Sequence, residues 1–290
     1  MAEQTVAVVV PAYRAERFIA EAVRSVVGQT HTDWQIWVVA DDGEDYETLL
    51  GRAGLGKHPI HFMSTGEVGA GASRARNLAL DRITAPYVAI LDADDRMKPH
   101  KLALAVAALA EVPIVSSALD VMTDDYEHLR FIGDGPDRRL TPDAYKFVNL
   151  SMDSMIVWDR RRCDARYDLT LTNMTDLELL MQLWRTANVV HHLGTPQHDY
   201  LKVSTSMSNG EGFTEKMIAS KRALLDRLET GYYSFAAGDA AEGLIAFLRL
   251  SLGAEAAYPE AMARRPGLLF EDHLEPMLRG YEADNKGRRV

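Results

Sequence analysis

Five aspartates stand at two points where their chemistry is conspicuous. Asp41 and Asp42 follow directly after the apolar run Trp34–Ala40 (WQIWVVA), and Asp92, Asp94 and Asp95 follow directly after Pro86–Leu91 (PYVAIL). Carboxylates are hard oxygen donors, and one or two of them together with substrate phosphates form the usual seat for magnesium or manganese. Two acidic groups on one rim of a sheet repel each other unless something positive or hydrogen-donating lies between them. A divalent ion carrying a diphosphate meets that need. A single acid after a strand can simply start a loop or cap the next helix. The D-A-D-D group opposite Asp41-Asp42 points instead to a ligand.

The flanking elements must place both groups on the same rim. Thr5–Val10 (TVAVVV) is a β-branched run suited to a strand buried on both faces. Phe18, Ile19, Ala22, Val23, Val26 and Val27 make a helical stripe that stops at Gly28. Trp34–Ala40 reads as a second strand, Ile60–Met63 as a short third, Ala72–Ile83 as a helix, Pro86–Leu91 as a fourth strand and Pro99–Ala110 as a further helix. This alternation predicts parallel β-α-β units and a three-layer α/β sheet, with right-handed crossovers bringing the strand C-termini to one ligand-binding edge.

From about Pro113 to Tyr200 the pattern loosens. Ile114–Ser117 and Ser154–Trp158 read as strands, Asp124–Pro142 as a polar excursion, and Thr175–Arg185 as a helix. After Ser208 the chain becomes helix-prone: Glu215–Glu229 and Ala240–Leu252 are amphipathic, and the last forty residues lack strand signals. We therefore expect a catalytic domain over 1–208, divided into halves 1–112 and 113–208, and a helical extension over 209–290. The acids mixed into that extension disfavour membrane docking. Its apolar stripes are expected to pack on the catalytic domain, and they could also pair two chains as a homodimer.

Composition narrows the function classes. With 290 residues, 47% hydrophobic and 26% charged, the chain is of ordinary globular type. Lys and Arg number 32 against 42 Asp and Glu, a formal charge of −10, which argues against a nucleic-acid surface. Leu102–Ala110, the longest strictly apolar stretch, falls well short of the roughly 20 residues of a membrane span. The start Met1-Ala2-Glu3-Gln4 lacks the marks of a secretory signal, and the single Cys163 suits a reducing cytoplasm.

Three segments, VVVPAYRAERFIAEAVRSVVGQTHTDWQIWVVADDG, GASRARNLAL and APYVAILDADDRMKPHKL, resemble the family 2 glycosyltransferases of GT-A fold. Pro11, Tyr13, Ser25, Gln29, Thr30, Asp41, Asp42, Gly43, Ala75, Arg76, Asn77, Asp92 and Asp94 fill that family's motif positions in order over about the first hundred residues. The resemblance implies a three-layer α/β/α sandwich and an inverting transfer of sugar from a nucleotide-diphosphate donor, UDP-sugar by default, to a hydroxyl acceptor. Pro11, Ala12 and Tyr13 would then form the base pocket, with Asp41 and Asp42 cradling the base and Asp42 accepting from a base N–H. Arg76 would face the base or diphosphate. Asp92 would contact the ribose or the metal, Ala93 would belong to the nucleotide site, and Asp92 and Asp94 would hold Mn2+ or Mg2+.

The same resemblance implies a carboxylate base in an E-D pair that opens a helix. Here Thr175 stands at the first position and Asp176 at the second, with Glu178 and Asp168 as alternatives. Other positions depart from the family pattern. Glu44 and Tyr46 replace a serine and an aspartate, while His198, ahead of Tyr200-Leu201-Lys202 and the Ser204–Ser208 loop, is a third metal ligand, a diphosphate contact or an ordinary polar histidine. The expected partners are the donor and a saccharide or lipid-linked saccharide acceptor, in the cytoplasm or at the inner membrane face through that acceptor. Two rivals stand beside this reading. One is a non-catalytic nucleotide-sugar binder of the same fold. The other is an NAD-dependent oxidoreductase, suggested by Gly69-Ala70-Gly71 but weakened by Arg74 at the third glycine position.

Overall fold

The computed structural model describes residues 4–148, 153–202 and 213–285. β1 (Val6–Ala12) is buried at every position except Pro11, as its β-branched run predicts. β2 (Trp34–Ala40) and β4 (Tyr87–Ile90) flank it in parallel, and β3 (Ile60–Ser64) lies outside β2, also parallel. Between these strands run α1 (Ile19–Val27), which Gly28 ends, α2 (Tyr46–Arg52) and α3 (Ala72–Leu80). The parallel β-α-β order expected for the first hundred residues is present.

Past β4 the sheet becomes mixed. β5 (Arg96–Met97), α4 (Lys101–Leu109), β6 (Ile114–Thr123), β7 (His128–Ile132), β8 (Arg138–Leu140) and α5 (Pro142–Val148) follow. Then come β9 (Ile156–Asp159), α6 (Thr175–Leu183) and β10 (Val190–Lys202). The strand order is β3-β2-β1-β4-β9-β6-β10-β5, with β7 paired to β6 and β8 to β10. β9 is antiparallel to both β4 and β6, so β6 runs with β4, and β10 is parallel to β6. The C-terminal ends of β1, β2, β3, β4, β6 and β10 therefore share one rim.

Strand alternation divides the core into two faces. Val6, Val8 and Val10 of β1 point toward α1, α2 and α4, in one apolar cluster with Ile19, Val23, Leu50 and Leu102. Ala7 and Val9 point the other way, into a larger cluster that takes in Ala75 and Ala79 of α3, Tyr145 of α5 and Leu177 and Leu180 of α6. The result is a helix–sheet–helix sandwich.

The C-terminal helices α7 (Phe213–Glu229), α8 (Ala240–Arg264) and α9 (Phe270–Asn285) join that larger cluster through Leu224, Leu228, Leu244, Phe247, Leu248, Leu274 and Leu278. Gly243 fixes the contact between α8 and α5, because a Cβ there would lie 2.2 Å from the Asp143 carbonyl oxygen. Arg130 of β7 also reaches Asp272 and Glu275 of α9, and Lys202 at the end of β10 pairs with Glu271. The boundary expected near Ser208 and the Ser204–Ser208 loop lie outside the described residues.

Candidate active site

At the ends of β1 and β2 the two neighbouring aspartates take different work. The Asp41 side chain is buried, and its carboxylate accepts from the backbone N–H of Ala70 (3.0 Å) and Gly71 (2.8 Å) and from the Thr65 hydroxyl (2.8 Å). It thereby holds the loop that opens α3, where Gly69 and Gly71 adopt φ values of +74° and +99° that favour glycine. The G-x-G tripeptide serves this aspartate, and it follows the edge strand β3 rather than the first strand of a dinucleotide fold.

Asp42 sits at the mouth of the rim. It accepts from the backbone N–H of Arg14 and Glu44 and from the Tyr46 hydroxyl at 2.8 Å. Burial raises its pKa, but these donors outweigh it and hold the carboxyl below its usual range. The Tyr46 hydroxyl in turn accepts from the Ala15 N–H, so a residue that departs from the family pattern ties the β1 and β2 turns together. Pro11 and Ala12 end β1, and Tyr13 is 45% exposed beside them, with the Arg14 guanidinium over its ring. A cleft of about 330 Å3 opens beside Asp42, lined by Gly43, Tyr46, Phe62 and Ser64 among others.

The turn after β4 carries the second acidic group. Arg76, buried on α3, gives its guanidinium to Asp92 and lies over the Tyr167 ring at 5.2 Å. Asn77 makes two bonds with the Tyr167 backbone, donating to its carbonyl at 2.9 Å and accepting from its N–H at 2.8 Å. Arg76, expected to face the base or diphosphate, and Asn77 thus join the D-x-D turn to the segment that leads into α6. Ala93 is buried between the two acids. Burial, and then the neighbouring Asp92 charge, push the Asp94 carboxyl up to about 6.

Asp95 points inward. Its carboxylate accepts from His198 Nε2 and from the Leu201 N–H, both at 2.9 Å. His198 Nδ1 lies 3.1 Å from the Lys101 ammonium, which also donates to the Ser154 carbonyl. An ammonium can only donate, so Nδ1 is the acceptor and His198 is a neutral bridge. Burial and then the Lys101 charge keep its pKa well below the usual histidine range. With both ring nitrogens occupied, His198 anchors the turn. His191 and His192 lie within β10, and His192 bonds Ser116 and the Gly133 carbonyl.

Among the described residues, no three His, Cys, Asp or Glu side chains converge to enclose a metal ion by themselves. The D-x-D turn nevertheless suits a divalent cation that shares its shell with phosphates. Among the described residues Asp94 has no side-chain hydrogen-bond partner, and its carboxyl is made costly to ionise by burial and Asp92, a cost that a cation would relieve.

The three acids considered for proton transfer separate cleanly. Asp168 accepts from Thr170 and from Arg227 of α7 at 2.7 Å. Glu178 is buried and bound by Gln182 and, at 3.1 Å, by the Tyr233 hydroxyl. Both are tied to the C-terminal helices. Asp176, in the first turn of α6, makes no hydrogen bond among the described residues, and the helix N-terminus favours its charge. A second cleft, about 620 Å3, lies at the far end of β9 and is lined by Arg160, Arg161, Arg162 and Arg185. Asp164, Asp159 and the carbonyls of Leu109 and Glu111 already engage the first three of these arginines.

Comparison with known proteins identifies the scaffold. Residues 7–133 match the model of glycosyl transferase family 2. The Bacillus subtilis protein named for teichuronic acid biosynthesis, the glycosyltransferase TuaG, is 26% identical over 216 residues, 71% of this chain and 82% of that protein. An Escherichia coli enzyme, UDP-Glc:alpha-D-GlcNAc-diphosphoundecaprenol beta-1,3-glucosyltransferase WfgD, is 31% identical over 109 residues, but these are 38% of this chain and 42% of that enzyme. Among solved structures, S. aureus TarS 1-349 in complex with UDP-GlcNAc superposes with a TM-score of 0.67 at 16% identity, covering 96% of this chain and 80% of that one. The Pyrobaculum calidifontis mannosyltransferase PcManGT with GDP-Man and Mn2+ gives 0.57 at 17% identity, covering 97% and 80%. The sandwich is the GT-A fold. No helix among the described residues is long and apolar enough to cross a membrane.

Proposed function

We propose, from the match of residues 7–133 to the family 2 glycosyltransferase model, that this chain transfers a sugar from a UDP-sugar to a hydroxyl acceptor with inversion, Asp176 acting as the base. The observation that carries the reading is the uncommitted carboxylate of Asp176, where Asp168 and Glu178 are both held by internal partners. Arg76 and Asn77 grip Tyr167, so the stretch leading to Asp176 runs beside the D-x-D turn.

In this reading residues 1–112 form the donor half and 113–208 the acceptor half. Pro11–Tyr13 and Asp42 meet the base, Asp42 with lone-pair capacity beyond its three internal donors. Asp41 acts one step back, holding the loop at the head of α3. Asp92 and Asp94 would hold Mn2+ or Mg2+, which offsets the charge that builds on the leaving diphosphate. Asp176 takes the acceptor proton as that oxygen attacks from the face opposite the leaving group. The UDP-GlcNAc bound to TarS and the UDP-Glc named for the E. coli relative support a uridine donor. That relative's diphosphoundecaprenol-linked substrate supports a lipid-linked saccharide acceptor at the inner membrane face.

The test measures UDP affinity with and without manganese, together with transfer, in wild type, Asp94→Asn and Asp176→Asn. Asp94→Asn should lose the manganese-dependent gain in UDP affinity. Asp176→Asn should bind UDP normally while transfer falls roughly 10²–10⁴-fold, the usual share of a general base. Near-normal transfer by Asp176→Asn would overturn the base assignment. UDP binding by the wild type without turnover of any donor would favour the non-catalytic binder.

A further inference from the structure

We propose that the cleft at the far end of β9 is an anion site, separate from the acidic rim, in which Arg162 and Arg185 take a phosphate-bearing ligand. The backbone N–H of Arg160 donates to the Pro86 carbonyl at 2.9 Å, just ahead of β4, whereas the D-x-D turn follows the other end of that strand. Asp92 lies six residues beyond Pro86, about 20 Å at the rise of a strand. The cleft therefore opens on the opposite rim. At about 620 Å3 it is within the range of small-molecule sites.

Three elements build it. The segment after β9 supplies Arg160–Arg162, the end of α6 supplies Arg185 and Thr186, and the connection from α7 to α8 supplies Ser234. The Ala236 N–H donates to the Trp184 carbonyl at 3.0 Å, which fixes that connection to α6 and covers a carbonyl at the negative end of the helix. Guanidiniums beside hydroxyls are the donor chemistry of a phosphate seat.

The chain carries a formal charge of −10, yet here the cations are in excess. Asp164 is shared between Arg160 at 3.0 Å and Arg166 at 3.1 Å, and Asp81 also holds Arg166, at 2.7 Å. Asp159 is taken by Arg161 at 2.8 Å. Arg162 donates instead to the carbonyls of Leu109 and Glu111, both at 3.2 Å, and these neutral acceptors leave its charge unanswered. The Glu111 carboxylate turns to Arg139. Arg185 is exposed and makes no hydrogen bond or ion pair among the described residues. Five guanidiniums thus meet three carboxylates, and the two in excess, on Arg162 and Arg185, line the same cleft. Like charges in one concave place are relieved by an anion. A phosphate monoester carries about −1.5 to −2 charges at neutral pH, which matches that surplus.

A soluble diphosphate and the headgroups of an anionic bilayer both offer this chemistry, and the experiment separates them. Titration calorimetry measures pyrophosphate binding to the full chain in EDTA, where the acidic rim has no divalent ion to recruit a phosphate. Flotation compares vesicles of phosphatidylcholine alone with vesicles that also contain phosphatidylglycerol. Both arms are repeated on Arg185→Gln and on the double variant Arg162→Gln/Arg185→Gln, with thermal melting and manganese-dependent UDP affinity as controls. Binding in either arm should weaken by about tenfold with each arginine removed, and the arm that responds names the source. UDP affinity should stay unchanged. Arg162 also holds the end of α4, so if the double variant fails to fold, Arg185→Gln and the charge reversal Arg185→Glu carry the comparison. Absence of binding in both arms overturns the proposal, as does binding that the folded variants retain in full. A loss of UDP affinity in Arg185→Gln would overturn the separation from the acidic rim.

Discussion

Replacing Asp41 with alanine is the sharpest test of how the acidic rim divides its labour. The family resemblance places this carboxylate against the nucleotide, whereas the structure gives it three internal donors. Losing it strands the N–H groups of Ala70 and Gly71 and leaves the Thr65 hydroxyl to its second acceptor, the Glu67 carbonyl. Hydrogen bonds to a charged group contribute about 1.5–3 kcal/mol each. Gly71 is exposed and Ala70 half-buried, so water can take up part of the loss. The expected destabilisation is then about 2–4 kcal/mol, near the lower end for two bonds. At roughly 2 °C per kcal/mol for a chain of this size, the melting midpoint should fall by about 4–8 °C. Differential scanning fluorimetry and urea titration read this directly, and UDP affinity measured well below the melting range should fall less than in Asp42→Ala. A variant that melts with the wild type yet no longer binds UDP would refute the scaffold role and restore Asp41 to the nucleotide.

Two other perturbations follow from the packing. Gly243→Ala should lower the urea midpoint by the equivalent of about 2 kcal/mol or more, because the new methyl meets the Asp143 backbone, which cannot move aside as a side chain could. An unchanged midpoint would mean that α8 does not bear on α5. Lys146 also predicts a pH dependence of stability. Its folded pKa of about 8 lies below the ordinary 10.5, so between these values the unfolded chain binds more protons and stability rises with pH. Between pH 7 and 9 this group should add about 1 kcal/mol, read as a difference in urea midpoints that Lys146→Met abolishes.

The first hundred residues were legible because β1 and β4 are unbroken apolar runs, β2 is interrupted only by Gln35, and α1 shows one apolar stripe. Trp34–Ala40 has the bounds expected of it. β7 and β8 escaped notice inside the polar stretch 124–142, since an edge strand with Leu129 and Phe131 partly exposed shows no clean alternation. β9 was visible as a strand, but direction is not written in composition, and its antiparallel course mixes the sheet. α2 was missed because seven residues carry too few turns for a stripe, though Asp45 caps it through the Thr48 N–H. In the site, the carboxylates could be found because they follow strands immediately. Their partners could not. That Arg76 would meet Asp92, or Tyr46 bond Asp42, depends on contacts that no local spacing encodes.

The anchoring of Asp95 has a consequence for the order in which the molecule can be assembled. Both groups that hold its carboxylate come from β10, His198 and Leu201, 103 and 106 positions along the chain. β5, the two residues after that turn, likewise pairs with β10. Closing so long a loop carries an entropic cost that is met only when the whole strand docks. A ribosome that has released residues 1–112 has therefore made every carboxylate of the D-x-D turn but neither of the β10 donors to Asp95. A fragment cut before Val190 would keep the β3-β2-β1-β4 ladder and the Arg76–Asp92 pair but leave the Asp95 carboxylate without these two hydrogen-bond donors.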